Sequence, residues 1–220
     1  MNDAELIEET IGFVKETLRG AEGGHNWFHI QRVFNNTLLI AKDEKVDVLV
    51  VSLAALLHDI ADAKFHKGDE TLGPKMAGNF LRSMQVAPQT IDHVVNIVKH
   101  ISFKNSLDKN NTKKFTSREL KVVQDADRLD AIGAIGIARA FNYGGFKDRE
   151  LYNPEIPPRL ELTKQEYKKS KAPTINHFYE KLLLLKDKMN TEMGKKLALQ
   201  RHEFMLSYLE QFYGEWEGKL

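Results

Sequence analysis

Apolar residues recur along this chain at the three-to-four spacing of helices. Ile7, Ile11, Val14 and Leu18 predict a first helix. Ile30, Val33, Phe34, Thr37, Leu38 and Ala41 mark one face of a second. From Val46 to Ile60 the chain is almost continuously apolar, the pattern of a helix buried on most sides. Met76, Phe80 and Met84 suggest another helix, and Ile91, Val94, Val95, Val98 and Ile101 a further one after Pro88. Ser117 with Leu120, Val122 and Val123 opens a short helix towards Asp127. Ala131 to Phe141 reads as a small-residue helix in which Gly133 and Gly136 let neighbours approach. The last third predicts two long helices, about 174–190 and 192–216, the second held by Met205, Tyr208, Leu209, Phe212 and Trp216.

No stretch alternates as a strand would. The expected fold is therefore all-α, a single globular bundle of about eight to ten helices over residues 1–220. Two polar stretches interrupt it. Ser102 to Thr116 is lysine-rich. Gly144 to Pro173, the stretch 144–173, holds four of the six prolines and the cluster Lys164, Lys168, Lys169 and Lys171. A connection that long inside one domain suggests a lid or an insertion.

Composition narrows the function. The chain is 42% hydrophobic and 29% charged, as in ordinary globular proteins. Its 32 basic and 31 acidic residues leave a net charge of +1, which argues against nucleic acid or an anionic membrane as partner. There is no signal-peptide pattern at Met1–Leu18 and no apolar run long enough to span a bilayer, so the expected location is the cytoplasm. The pattern specifies no oligomeric state. The absence of cysteine removes disulfides, thiolate metal sites and cysteine nucleophiles. Any metal must be held by His, Asp or Glu.

Four residues stand out for such a role. His58 and Asp59 end the apolar run, and a charged Asp in such a setting calls for a partner or a metal. His29 borders the apolar face of the second helix, and Asp127 lies where a short helix meets the small-residue helix. Two imidazoles and two carboxylates on three helices can converge in a bundle core. That donor set suits octahedral Mn²⁺, Fe²⁺, Ni²⁺, Co²⁺ or Mg²⁺, with positions left for water or a substrate oxygen. Zinc, which favours tetrahedral closure, suits it less. Asp62 follows the pair by four and three residues, on the same side of a continued helix, placed to orient or deprotonate a water. Lys64, a cation, lies just beyond. His93 and His100 share a helix face. There is neither a P-loop nor a nucleophile elbow.

The order His29, His58-Asp59, Asp127 resembles the HD-domain phosphohydrolase superfamily. His29 with Arg32-Val33 matches its His-x-x-Arg-Val helix, and Asp127 its terminal Asp. Leu56 to Phe65 (LLHDIADAKF), Lys99 to Phe103 (KHISF), Val123 to Tyr143 and Lys181 to Thr191 (KLLLLKDKMNT) resemble a bacterial subgroup of small stand-alone members that includes nucleoside triphosphate pyrophosphohydrolases. Asn26 departs from the family, which often has Asp after the first His, so proton handling there is not expected.

The resemblance implies one divalent metal, Mn²⁺ foremost, held by His29, His58, Asp59 and Asp127. It implies hydrolysis of (deoxy)nucleoside triphosphates by a metal-activated water, with pyrophosphate released. His100, inside the KHISF stretch, becomes a phosphate contact or leaving-group acid. His25, Lys64, Arg128 and Tyr143 become substrate contacts, Tyr143 by stacking on a base. Alternatives within the same resemblance are a nucleotide monophosphatase, a phosphodiesterase, or a non-catalytic module that binds metal and nucleotide.

Overall fold

The computed structural model describes residues 1–21, 26–61, 69–101, 115–160 and 170–220. Every regular element among them is helical: α1 Asp3–Thr17, α2 Trp27–Ala41, α3 Val48–Leu57, α4 Leu72–Ser83, α5 Pro88–His100, α6 Arg118–Asp130, α7 Gly133–Phe146, α8 Thr174–Glu180, the 3-10 helix η1 Leu182–Lys188, and α9 Glu192–Trp216. The all-α expectation is thus borne out. The chain divides into two units, Met1–Asp127 and Arg128–Leu220, with the division inside α6. No described helix is long and apolar enough to cross a membrane.

In the first unit, α3 is the central rod. All residues from Val50 to Leu57 are buried, as the unbroken apolar run predicts. Asp47 starts the helix by accepting the Val50 N–H at 3.1 Å, which satisfies one of the donors a helix start leaves bare. Contacts from α1, α2 and α5 surround α3. The buried face of α1 is Leu6, Thr10 and Val14, rotated by one residue from the predicted stripe. Thr10 can turn inward because its hydroxyl donates to the Leu6 carbonyl at 2.7 Å. On α4, Gly73, Ala77, Gly78 and Leu81 face inward, and Phe80 stacks on Phe13 with ring centroids 4.2 Å apart.

In the second unit, α7 runs on to Phe146, past the predicted end at Phe141. Gly144 is inside it because a Cβ there would lie 2.2 Å from Thr174 Oγ1. Gly133 starts α7 at φ +74, and a Cβ would meet the Arg201 stem at 2.9 Å. The predicted helix at 174–190 is two elements. Lys181, at φ −147 and ψ −56, ends α8, and the chain continues as η1. With three residues per turn, η1 puts Leu182 and Leu185 on one buried face and leaves Leu184 out. Residues 150 and 151 are pinned to the start of α8, where the Thr174 and Ile175 N–H groups donate to the carbonyls of Glu150 and Leu151 at 2.9 and 3.0 Å. Trp216 is half exposed at the end of α9, its ring edge-on to Tyr152, so it anchors the helix less than Met205 and Leu209 do.

Candidate metal centre

The first unit brings together the four residues singled out from the sequence. Asn26 starts α2, its Oδ1 accepting the N–H of Phe28 at 3.0 Å and of His29 at 3.4 Å. An Asn caps a helix as well as Asp does, which accounts for the residue at this position without any proton transfer. The cap sets His29 in the first turn, where it is buried. His58 caps the far end of α3, and Asp59 follows in the turn. Asp127 lies in the last turn of α6.

One ligand atom each from His29, His58 and Asp59 lie within 4.8 Å of one another. Asp127 Oδ1 completes the group, 3.6 Å from His29 Nε2 and 3.8 Å from His58 Nε2. Asp59 Oδ2 is 4.0 Å from His29 Nε2. The two rings stand edge to face, centroids 5.3 Å apart. Octahedral bonds of about 2.1 Å place ligand atoms about 3.0 Å apart when adjacent and about 4.2 Å apart when opposite. The individual separations of 3.6, 3.8 and 4.0 Å fall in that range.

The hydrogen bonds of His58 bear on what the group can hold. His58 Nδ1 lies 2.8 Å from the Ala55 carbonyl oxygen, which can only accept, so Nδ1 carries the proton. In the neutral ring Nε2 is then a lone pair. It is buried, has no hydrogen-bond partner among the described residues, and faces a carboxylate oxygen. A buried lone pair facing a carboxylate is unfavourable unless a proton or a metal cation sits between them. The backbone bond at Nδ1 is also the support that metal-bound histidines usually have. The four side chains therefore fit a divalent ion.

A model of the HD domain family matches residues 27–132, which contain all four. The uncharacterised protein YpgQ of Bacillus subtilis is 37% identical over 218 residues, 99% of this chain and 97% of that one. This chain belongs to the HD superfamily of hydrolases. An HD-superfamily hydrolase from Bacillus thuringiensis has the same fold, with a TM-score of 0.78 at 40% identity, over 98% of this chain and 99% of that one. The structure of B. subtilis YpgQ in complex with ADP matches with a TM-score of 0.76 at 35% identity, over 98% of this chain and 97% of that one. The HD assignment carries divalent metal binding as a property of the superfamily.

The remaining predicted site residues stand as follows. His25, Asp62 and Lys64 lie outside the described residues. His100 ends α5. Its Nδ1 is 2.8 Å from the Asn96 carbonyl oxygen, so that nitrogen too is the donor, and its ring leans on Phe115. His93 is engaged elsewhere, 3.0 Å from Ser117 Oγ and 3.4 Å from Glu119 Oε2. In the second unit, Arg128 donates to the Lys188 carbonyl at 2.5 Å. Tyr143 is 46% exposed, with Lys147 Nζ and the Arg149 guanidinium each 5.7 Å from its ring centroid.

Sequence reasoning places Arg201 on a polar face of the last helix and gives it no role. It turns inward and donates to the Leu129 carbonyl at 2.5 Å, while Arg139 donates to the Asp130 carbonyl and carboxylate at 3.1 and 2.5 Å. Two guanidinium groups thus cap the end of α6, where a helix exposes bare carbonyls and partial negative charge. Burial lowers the pKa of Arg201, and Asp130 opposes that shift. An arginine in a polar helix face carries no local signal of this role.

Proposed function

We propose that this HD-superfamily hydrolase cleaves (deoxy)nucleoside triphosphates, releasing pyrophosphate and a nucleoside monophosphate. The observation that carries the reading is the buried Nε2 of His58, without a hydrogen-bond partner among the described residues and facing Asp127. It supports a bound divalent ion among His29, His58, Asp59 and Asp127, with Mn²⁺ first among the candidates. Such an ion supplies Lewis-acid activation of water and of a phosphoryl oxygen. The ADP bound to B. subtilis YpgQ supports a nucleotide as ligand.

The chain's own residues divide the remaining work. Asp62 takes the proton from the attacking water, whose oxygen bonds to the α-phosphorus as the bond to the bridging oxygen breaks. The leaving pyrophosphate takes a proton from His100 Nε2, the nitrogen not tied to Asn96, which requires the imidazolium form. His25, Lys64 and Arg128 meet phosphate oxygens. Tyr143 offers an exposed ring for a base.

The test is incubation with Mn²⁺ and a panel of nucleoside mono-, di- and triphosphates, with phosphate and pyrophosphate separated by ion chromatography. Pyrophosphate in equal amount to monophosphate, from triphosphates only, is the expected result. Orthophosphate from monophosphates would reassign the attacked phosphorus. Nucleotide binding without any product would leave a non-catalytic module.

A further inference from the structure

Helix α6 carries Asp127, and its polar contacts within the first unit come in a consistent order. At its start, Ser117 Oγ accepts the Leu120 N–H at 3.0 Å and lies 3.0 Å from His93 Nε2 on α5. Glu119, two residues on, spans further. Its Oε1 accepts the backbone N–H of Asp47, the residue that caps α3, at 3.3 Å. Its Oε2 is 3.4 Å from His93 Nε2. The Glu119 side chain is only 14% exposed, so this carboxylate is largely withdrawn from water. Gln124 then donates to the His100 carbonyl at 3.4 Å, and Asn36 of α2 to the Ala126 carbonyl at 3.5 Å. Asp127 follows, against His29 and His58.

These rungs run the same way along each helix. Asp47 meets Glu119, and His58 meets Asp127; His93 meets Glu119, and His100 meets Gln124. Helices α3 and α6 are therefore joined at two places, start to start through Glu119 and end to end at the metal centre. From the tie to the centre is about 12 Å along α6 and about 16 Å along α3, at 1.5 Å per residue. A helix is stiff over that length, so a slip at the start reappears at the end. An acidic residue in a first turn suits the helix dipole, but the dipole alone requires neither burial nor partners on two other helices.

We propose that Glu119 is a positioning residue that fixes how far α6 slides along α3, and through that the distance from Asp127 to His58 and the affinity of the centre for its metal. The inference rests on the metal reading of the four side chains and deepens it. Two substitutions separate reach from charge. Glu119→Asp keeps the charge but is one methylene too short to span to Asp47. Glu119→Gln keeps the reach, its amide oxygen accepting the Asp47 N–H and its amide nitrogen facing His93.

The measurement is the Kd of Mn²⁺ for the metal-stripped protein, from the electron paramagnetic resonance signal of free Mn²⁺, with the melting temperature of the metal-free form alongside. Glu119→Asp should weaken binding by about tenfold, the usual scale for residues that support a metal ligand. Glu119→Gln should bind close to the unsubstituted protein. A merely stabilising role would lower the melting temperature and leave the Kd alone. Unchanged affinity in Glu119→Asp, or equal weakening in both variants, would overturn the proposal while leaving the metal centre standing. An unsubstituted chain that binds no Mn²⁺ would overturn both.

Discussion

Two sheltered imidazoles, one in each unit, show how company decides chemistry. His58 in the first unit has its Nδ1 proton committed to a carbonyl and its Nε2 turned towards carboxylates. His177 in the second unit lies on α8 beside Lys181 and Arg149. Burial, then these two cations, hold the His177 pKa down from the ordinary 6.5 to about 3. One environment gathers negative charge around a lone pair and calls for a cation. The other gathers positive charge and rejects even a proton. Burial is common to both, so burial of a histidine says little by itself about metal binding; the sign of its neighbours says more.

The comparison breaks most visibly at the metal centre. His58→Ala or Asp59→Ala should abolish metal retention and turnover together, read by elemental analysis after dialysis and by product release. Full metal in either variant would remove that residue from the ligand set. Asp62→Asn should leave the metal bound and lower turnover by roughly 10²–10⁴-fold, the scale of acid–base assistance, and an unchanged rate would remove it from the reaction. In the second unit, Gly144→Ala places a Cβ 2.2 Å from Thr174 Oγ1 and should cost about 1–3 kcal/mol by chemical denaturation, with metal affinity unaltered.

The last effect is electrostatic and is spread over several pH units. The unfolded chain protonates His177 near pH 6.5, and the folded chain only near pH 3. The contribution of neutral His177 is thus fully present above pH 6.5 and is lost as pH falls towards 3, with a slope of at most about 1.4 kcal/mol per pH unit. His177→Asn should flatten stability over that range. A slope identical to that of the unsubstituted protein would show that His177 titrates normally.

What could be read from the sequence tracks how local the cause is. The apolar run ending in His58-Asp59 announced both a buried helix and a polar pair at its end, because continuous burial and an abrupt stop are properties of one segment. His29 and Asp127 were legible through the order of the resemblance. The rotation of α1 escaped because the rule treats Thr as polar, while Thr10 hides its hydroxyl on its own helix. The break at Lys181 escaped because four leucines in a row fit either helical period. The roles of Glu119 and Arg201 escaped for a stronger reason. Their partners, Asp47 and Leu129, are 72 residues away in the chain and offer backbone groups, which have no residue type to recognise.

The central claim, that His29 and His58 share one divalent ion with Asp59 and Asp127, is tested most directly by pulsed electron paramagnetic resonance on the protein loaded with one equivalent of Mn²⁺. The account predicts nitrogen couplings from two imidazoles on a single class of bound ion. A spectrum showing oxygen ligands alone would contradict it.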